Sequence, residues 1–503
     1  MVEKLKLIFG PSALLLLTKL GNFLAEQGIK SYVVGGFVRD TLLGRDTADI
    51  DIAVTADALE IAPKVATALG GKYVPLDRIN KVGRVILVNR GEPSTGGQWN
   101  LDFSTVKGTI EQDLARRDFT IDAMAVDLSQ LGKGYTDVPL VDPFNGGNDL
   151  RQGAIRIVTE TVFESDAARL LRAVRLAAEL GFSIDKETDA LIHRQSYLIT
   201  NVAGERVREE LLRLLAVPQA GQLLPYLDEL GLITAVIPEL AQAKGVEQPK
   251  EHFWNVFDHS LKTVMAADFL LRQGAWEYAA SEEVLAAAPW SIELAQHFAL
   301  EVSSGSTRRL LLKLAAFLHD VAKPQTKAID TQGRMRFLGH AQAGAVITAT
   351  ILERLRFSAK EIKLVETMVR HHLRPGQMGQ NEFPSHKAIY RYFRDTGEAG
   401  IDILFLSLAD HLATRGPQLS LAHWREHTKV ADYILTQRFE QEALIIPPKL
   451  VDGHDLIDIF GMSPGPKIGE FLEQVREAQA TGELATREEA LFYIRERLLS
   501  KAV

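Results

Sequence analysis

Asp49 and Asp51 stand two positions apart in the run Asp-Ile-Asp-Ile-Ala-Val at 49–54. On a β-strand that spacing sends both carboxylates to one face while Ile50 and Ile52 go to the other. Two carboxylates held side by side repel each other unless cations neutralise them, and Mg²⁺ bridging the phosphates of a nucleotide is the usual resolution. Asp102, in the strand-like run Asn-Leu-Asp-Phe-Ser, is a third candidate acid. Upstream, Gly35 and Gly36 close an apolar run and precede a helical stretch. Lacking Cβ atoms, they let a phosphate approach the backbone, and Arg39 follows one helical turn later. D-x-D by itself is most often a solvated strand face, and Gly-Gly is weaker still. The sequence G-G-x-x-R-D with D-x-D nine residues beyond Asp40 is far more specific.

That combination, at 33–54, resembles the class II tRNA nucleotidyltransferase and bacterial poly(A) polymerase family, members of the DNA polymerase β-like nucleotidyltransferases. The resemblance extends over nearly the whole chain. A second motif is Ala115-Arg116-Arg117-Asp118-Phe119-Thr120-Ile121-Asp122-Ala123-Met124-Ala125, with Asp122 where the family more often has Asn, and a third is the turn Asp142-Pro143-Phe144-Asn145-Gly146-Gly147. The resemblance implies that Arg117 and Asp118 belong to the nucleotide site, the arginine neutralising triphosphate charge; a surface ion pair is the plainer alternative. The fourth motif, Glu-Asp-x-x-Arg in the family, here reads Glu164-Ser165-Asp166-Ala167-Ala168-Arg169, with Arg172 one further turn along. On a helix Asp166 and Arg169 would share a face. A carboxylate accepts from an exocyclic amine and a guanidinium donates to the adjacent ring nitrogen, so the pair suits adenine and cytosine and rejects guanine and uracil. Without the other motifs it would be an ordinary salt bridge. The fifth motif, Glu205-Arg206-Val207-Arg208-Glu209-Glu210-Leu211, serves equally well as a domain strut.

A second constellation lies between 250 and 415: His259, the adjacent His319-Asp320, His340, His371-His372 and Asp410. It resembles an HD-domain metal phosphohydrolase. Imidazole and carboxylate donors spread over several helices suit a divalent transition metal (Mn²⁺, Ni²⁺ or Co²⁺) that activates water toward a phosphoester. The resemblance assigns His259, His319, Asp320 and Asp410 as core ligands, with His340 and His371 as candidates for a second ion. The alternative is a helical domain retained for RNA contacts, its histidines satisfied in the core.

The elements that must position these groups follow from the pattern of the chain. Its 503 residues exceed a single small fold, and 46% hydrophobic with 24% charged residues is ordinary globular composition. With no cysteine there is no thiol nucleophile, disulfide or thiolate-ligated metal. Against 57 Lys and Arg stand 65 Asp and Glu, a net charge of −8, so bulk charge neither implies nor excludes a nucleic acid. The apolar stretch at 7–17 is interrupted by Pro11 and continues as an amphipathic helix toward Gly28, which argues against a signal peptide. No run approaches a membrane span, and a cytoplasmic protein is expected. Short β-branched runs mixed with helices to about 145 give way, from about 160, to helical spacing throughout.

The expected fold is therefore α+β: a polymerase β-like catalytic head with a mixed sheet (1–148), a helical nucleotide-recognition and RNA-binding neck and body (149–245), an HD domain (250–415) and a helical tail (416–503). Candidate seams are 242–250, 302–307 and 447–448. The resemblance implies template-independent addition of C and/or A from CTP and ATP to the 3′ end of tRNA, with Mg²⁺ at Asp49 and Asp51, and no obligate protein partner is inferred. Open alternatives are a CC-adding, A-adding or poly(A) polymerase relative, or an HD phosphohydrolase with an RNA-binding amino-terminal domain. A flexible loop expected within 73–100 would govern how many nucleotides are added, and the carboxy-terminal region 456–494, with its glycines at 461–469, resembles the tail that family members use near tRNA.

Overall fold

In the computed structural model, residues 9–88, 97–131, 139–278, 280–303, 305–378, 383–440 and 448–500 are described. They form two compact units, one reaching Val202 with Glu229–Leu232, the other comprising Ala203–Asp228 and the residues from Ile233 onward. The division falls inside the expected 149–245 segment. The reason is local: the helix Gly204–Ala216 buries Val207, Leu211, Leu214 and Leu215, and its Leu215 carbonyl accepts a hydrogen bond from Lys313 Nζ at 2.8 Å on the Arg308–Leu318 helix.

The first unit is built on a seven-stranded mixed sheet: β1 (Ser31–Val34), β2 (Asp49–Val54), β3 (Lys72–Asp77), β4 (Val82–Val88), β5 (Gln98–Thr105), β6 (Ala125–Asp127) and β7 (Leu140–Val141), in the order β3-β4-β5-β2-β1-β6-β7. Only β2 and β5 run parallel; the other pairs are antiparallel. In β2 the alternation works as the sequence indicates: Ile50 and Ile52 are buried while Asp49 is exposed and Asp51 half-buried. The crossover helix Ala58–Leu69 starts on Asp57, whose side chain accepts from the Leu59 amide, and stops at Gly70 in the left-handed region. Helices follow from Val162. Most of the stretch in which a loop is expected is ordered hairpin, because 73–77, 82–88 and 98–100 belong to β3, β4 and β5, with a turn at 78–81; residues 89–96 lie outside the described residues.

The second unit is helical. Its centre is the helix Val256–Leu270, buried on nearly every side by Arg308–Leu318 and Gly400–Arg415, with Ala359–His371 packed against the latter two. All-round burial, rather than a single stripe, marks Val256–Leu270, Arg308–Leu318 and Gly400–Arg415 as interior helices. Ser358 and Glu361 cap the Ala359–His371 helix reciprocally, and Arg208 of the fifth motif closes on Glu361 at 2.7 Å, bracing that helix start. The supposed seam at 302–307 is two short paired strands, Glu301–Ser303 and Ser306–Thr307, running directly into the Arg308–Leu318 helix. The tail helices Gly453–Phe460, Pro466–Ala480 and Arg487–Ser500 enclose a small core around Leu456, Phe471, Val475 and Ile494. No helix of the described residues is long and apolar enough to cross a membrane.

Candidate active site

Strand register puts three acids within one site. Asp51 on β2 pairs laterally with Asp102 on β5, and Asp49 sits two residues before it on the same face. Asp49 Oδ1 accepts from Asn100 Nδ2 at 2.9 Å. Asp102 accepts two hydrogen bonds from Arg84, each 2.7 Å long. Burial pushes the Asp51 carboxyl up; Arg117 works in the opposite direction, and Asp102 and Asp122 add to the rise.

Gly35 is the pivot of this site. It has φ 73°, and a Cβ there would lie 2.5 Å from Arg117 Nη1 and 2.8 Å from Asp51 Oδ2. The first two motifs therefore converge through the missing side chain. A site that presses a glycine, an arginine and the Asp51 carboxylate together, with exposed Asp49 two residues earlier on the same strand face, has the donor set of a hard oxygen-coordinated cation next to a phosphate.

The remaining residues of the resemblance lie around it. Asp118 is buried, accepts from the Phe119 amide at 3.0 Å and pairs with Arg172 at 2.9 Å. Arg39 follows the glycines as expected, but its guanidinium is engaged elsewhere: Nε and Nη2 bind Asp40 at 2.9 and 3.0 Å, and Nη1 binds the buried Asp122 at 2.7 Å. It thus ties the Gly36–Leu42 helix to the second motif. Burial pushes the Asp122 carboxyl up and Arg39 opposes that shift; Asp122 Oδ2 has no hydrogen-bond partner among the described residues.

Asp166 and Arg169 meet, though not on one helix face. Asp166 is extended (φ −159°), in a break between the Val162–Ser165 and Arg169–Leu180 helices, and its side chain accepts from the Ala168 amide at 3.2 Å. The pair closes to 3.8 Å across the helix start. Arg169 Nη2 also donates to the Arg116 carbonyl at 3.2 Å, joining the fourth motif to the second. Asp142 binds the amides of Gly146 and Gly147 at 2.7 and 2.9 Å, so the third motif is a turn that supports this wall.

The second unit holds the imidazole cluster. His259 Nε2 lies 3.0 Å from Asp410 Oδ1 and 3.2 Å from His319 Nε2; His319 Nε2 lies 3.1 Å from Asp320 Oδ2. The other oxygen of Asp320 faces His340 at 3.5 Å and His372 at 3.9 Å. His371, the expected partner, is outside this group, and His372 takes its place. Helical phase explains the correction: Val365, Met368 and Val369 are buried, and position 372 continues their face. Burial pushes His372 down to about 3. Burial disfavours the Asp320 carboxylate, yet His319 and Lys323 hold it well below the usual range.

The tautomers are fixed by backbone. The Nδ1 atoms of His319, His340 and His372 face the carbonyls of Ala316, Phe337 and Val369 at 2.9, 2.6 and 2.7 Å. A carbonyl only accepts, so each Nδ1 carries the proton and each Nε2 lone pair points into the cluster. Four imidazoles and two carboxylates then converge mostly as acceptors, an arrangement that fits divalent cations. A cavity of about 570 Å³ opens onto it, lined also by His252, Lys323, Arg336 and Arg374.

Four known domains match successive parts of the chain. The poly A polymerase head domain matches residues 31–156, the RNA and SrmB binding site of polymerase A 181–244, the HD domain 256–415, and tRNA nucleotidyltransferase domain 2 415–494. An A-adding tRNA nucleotidyltransferase of Deinococcus radiodurans is 32% identical over 468 residues, covering 92% of this chain and 94% of the relative. The chain belongs to the tRNA nucleotidyltransferase family. A CC-adding member from Thermus thermophilus is also 32% identical, over 92% of this chain and 93% of its own. The solved CCA-adding enzyme of Thermotoga maritima in complex with tRNA is 25% identical with a TM-score of 0.59, covering 97% and 96%. As a family member the protein is a nucleotidyltransferase that uses divalent metal. Two residues that the motifs do not reveal line its sites, Arg84, placed by strand register alone, and Lys323, 2.6 Å from Asp320 and three residues beyond it; His372 stands beside the expected His371 in the HD run, and helical phase selects it.

Proposed function

We propose that this nucleotidyltransferase extends the 3′ end of tRNA with C and/or A, taking CTP and ATP as donors and using no nucleic-acid template, in the cytoplasm. The convergence of Gly35, Arg117 and Asp51 carries the reading, because it brings an uncovered backbone, a guanidinium and a carboxylate to one point, the donor set that a metal-bound phosphate needs. Asp49 and Asp51 would hold two Mg²⁺ ions. Such ions supply a lowered pKa at the attacking 3′-hydroxyl and a counter-charge for the leaving pyrophosphate. Arg117 donates to triphosphate oxygens, Gly35 and Gly36 admit them to the backbone, and the Asp118–Arg172 pair borders the nucleotide. Asp166 accepts from the base's exocyclic amine and Arg169 donates to the neighbouring ring nitrogen. The A-adding and CC-adding relatives that match over nine-tenths of each chain are 32% identical, against 25% for the Thermotoga maritima CCA-adding enzyme, which favours a partial adder over a complete CCA adder. Incubation with tRNAs ending before CCA, after C and after CC, followed by sequencing, distinguishes these outcomes; a protein that extends none of the three is not a tRNA 3′-end nucleotidyltransferase.

In the second unit, His259, His319 and Asp410 would hold one transition-metal ion and His340 and His372 another, with Asp320 offering one oxygen to each. Mn²⁺, Ni²⁺ or Co²⁺ suits these imidazoles better than Mg²⁺. The cationic lining of the cavity favours a phosphoester, and phosphatase and phosphodiesterase assays under each metal test the hydrolysis.

A further inference from the structure

One row of charge crosses three adjacent strands of the sheet. Arg84 on β4 is in register with Asp102 on β5, and Asp102 is in register with Asp51 on β2. Laterally paired residues share a face, so the ladder itself, rather than a side-chain rotamer, delivers Arg84 to the carboxylates. The Arg84–Asp102 contact is a full fork: Nε and Nη2 each take a separate oxygen at 2.7 Å. This is the strongest arrangement open to a guanidinium and a carboxylate. β4 is paired with β5 along its whole length, from Val82 opposite Ser104 to Val88 opposite Gln98, which holds both partners in place. The hydrogen bonds to Asp102 stabilise the Arg84 charge most, and the fields of Asp49 and Asp51 add to that.

We infer that Asp102 is committed to Arg84 as a positioning residue instead of serving as a third metal ligand, and that Arg84 is a tethered cation supplying part of the positive charge this face requires. The inference rests on the reading of Asp49 and Asp51 as the metal-binding pair. Three carboxylates on one face repel each other, and a face carrying three acids and one fixed cation presents the net charge of two. Removing the cation leaves an under-neutralised trio that should bind a divalent ion more tightly. Removing cation and acid together should restore the original balance.

Mn²⁺ binding, followed by electron paramagnetic resonance, tests this in the full-length chain carrying His319→Ala and His340→Ala, so that the imidazole cluster does not contribute; melting curves verify that each variant is folded. Arg84→Met should tighten Mn²⁺ binding about five-fold or more. Arg84→Gln, which keeps N–H donors for Asp102 without the charge, should do the same and serves if the methionine variant is unfolded. Arg84→Lys, which keeps the charge, should stay within about three-fold of the parent, as should Arg84→Met with Asp102→Asn. Asp51→Asn should weaken binding at least ten-fold. If the Arg84/Asp102 double variant binds as weakly as Asp51→Asn, Asp102 is a ligand and the inference is overturned; unchanged or weaker binding in both Arg84→Met and Arg84→Gln overturns it too. Undiminished binding in Asp51→Asn is a different failure, which removes the metal-pair reading itself.

Discussion

His340 and His372, thirty-two positions apart, set their Nε2 atoms 3.3 Å from each other, each ring locked by a backbone carbonyl on its far side. Two lone pairs held at that distance are unfavourable without a cation between them. His372→Ala should therefore lower the transition metal retained after dialysis, whereas His371→Ala should leave it at the parent level. Metal analysis by mass spectrometry measures both. His319→Ala with Asp320→Ala, in a compact unit separate from Asp51, should leave nucleotide addition within a few-fold.

Asp51→Asn should remove nearly all nucleotide addition while leaving the protein folded, and Asp49→Ala should do the same. The folded-state value of Asp51 is raised above that of the free side chain, so its ionisation opposes folding. That penalty is absent at low pH and grows as pH rises from the unfolded value through the folded one. At neutral pH the melting temperature of Asp51→Asn should equal or exceed that of the parent, and the difference should vanish below about pH 4, near the reference value of a free carboxyl. A lower melting temperature at pH 7 would contradict the assignment.

Gly35→Ala adds one methyl group and removes no functional atom. With φ at 73° and Arg117 and Asp51 inside contact distance, it should cost about 1–3 kcal/mol of stability and displace the site. Denaturant unfolding should show the loss, and nucleotide addition should fall at least ten-fold at a temperature where the variant remains folded.

Arg169→Ala should alter base choice more than triphosphate binding. Use of CTP and ATP should drop and discrimination against UTP and GTP should relax, read as ratios of kcat/KM across the four nucleotides. Unchanged ratios would return Arg169 and Asp166 to the status of a salt bridge bracing a helix start.

Lys313 and Asp268 form a buried ion pair at 2.5 Å, with Lys313 also bound to the Leu215 carbonyl and Asp268 to the Gly221 amide at 2.8 Å. Both side chains are essentially inaccessible. Lys313→Met leaves a buried carboxylate unpaired and should cost about 3–5 kcal/mol, while Lys313→Met with Asp268→Leu should recover much of that loss. Equilibrium unfolding of the two variants provides the comparison.

Local chemistry was legible in the chain. The alternation at 49–54 places two acids on one strand face, the glycines at 35–36 mark a strand-to-helix turn, and the helical spacing beyond 160 separates head from helices; each depends on periods of two or 3.6 residues that neighbours in sequence determine. The choice between His371 and His372 was also present in that phase, carried by Val365, Met368 and Val369. Other features depended on contacts between distant parts of the chain. Arg84 reaches Asp102 only through the register of β4 on β5, Arg39 turns to Asp122 eighty-three residues away, and Asp320 divides its oxygens among histidines from four different segments. Register and helix packing are set by burial of the whole core, so these partners were decided by the tertiary structure and not by any local stretch of sequence.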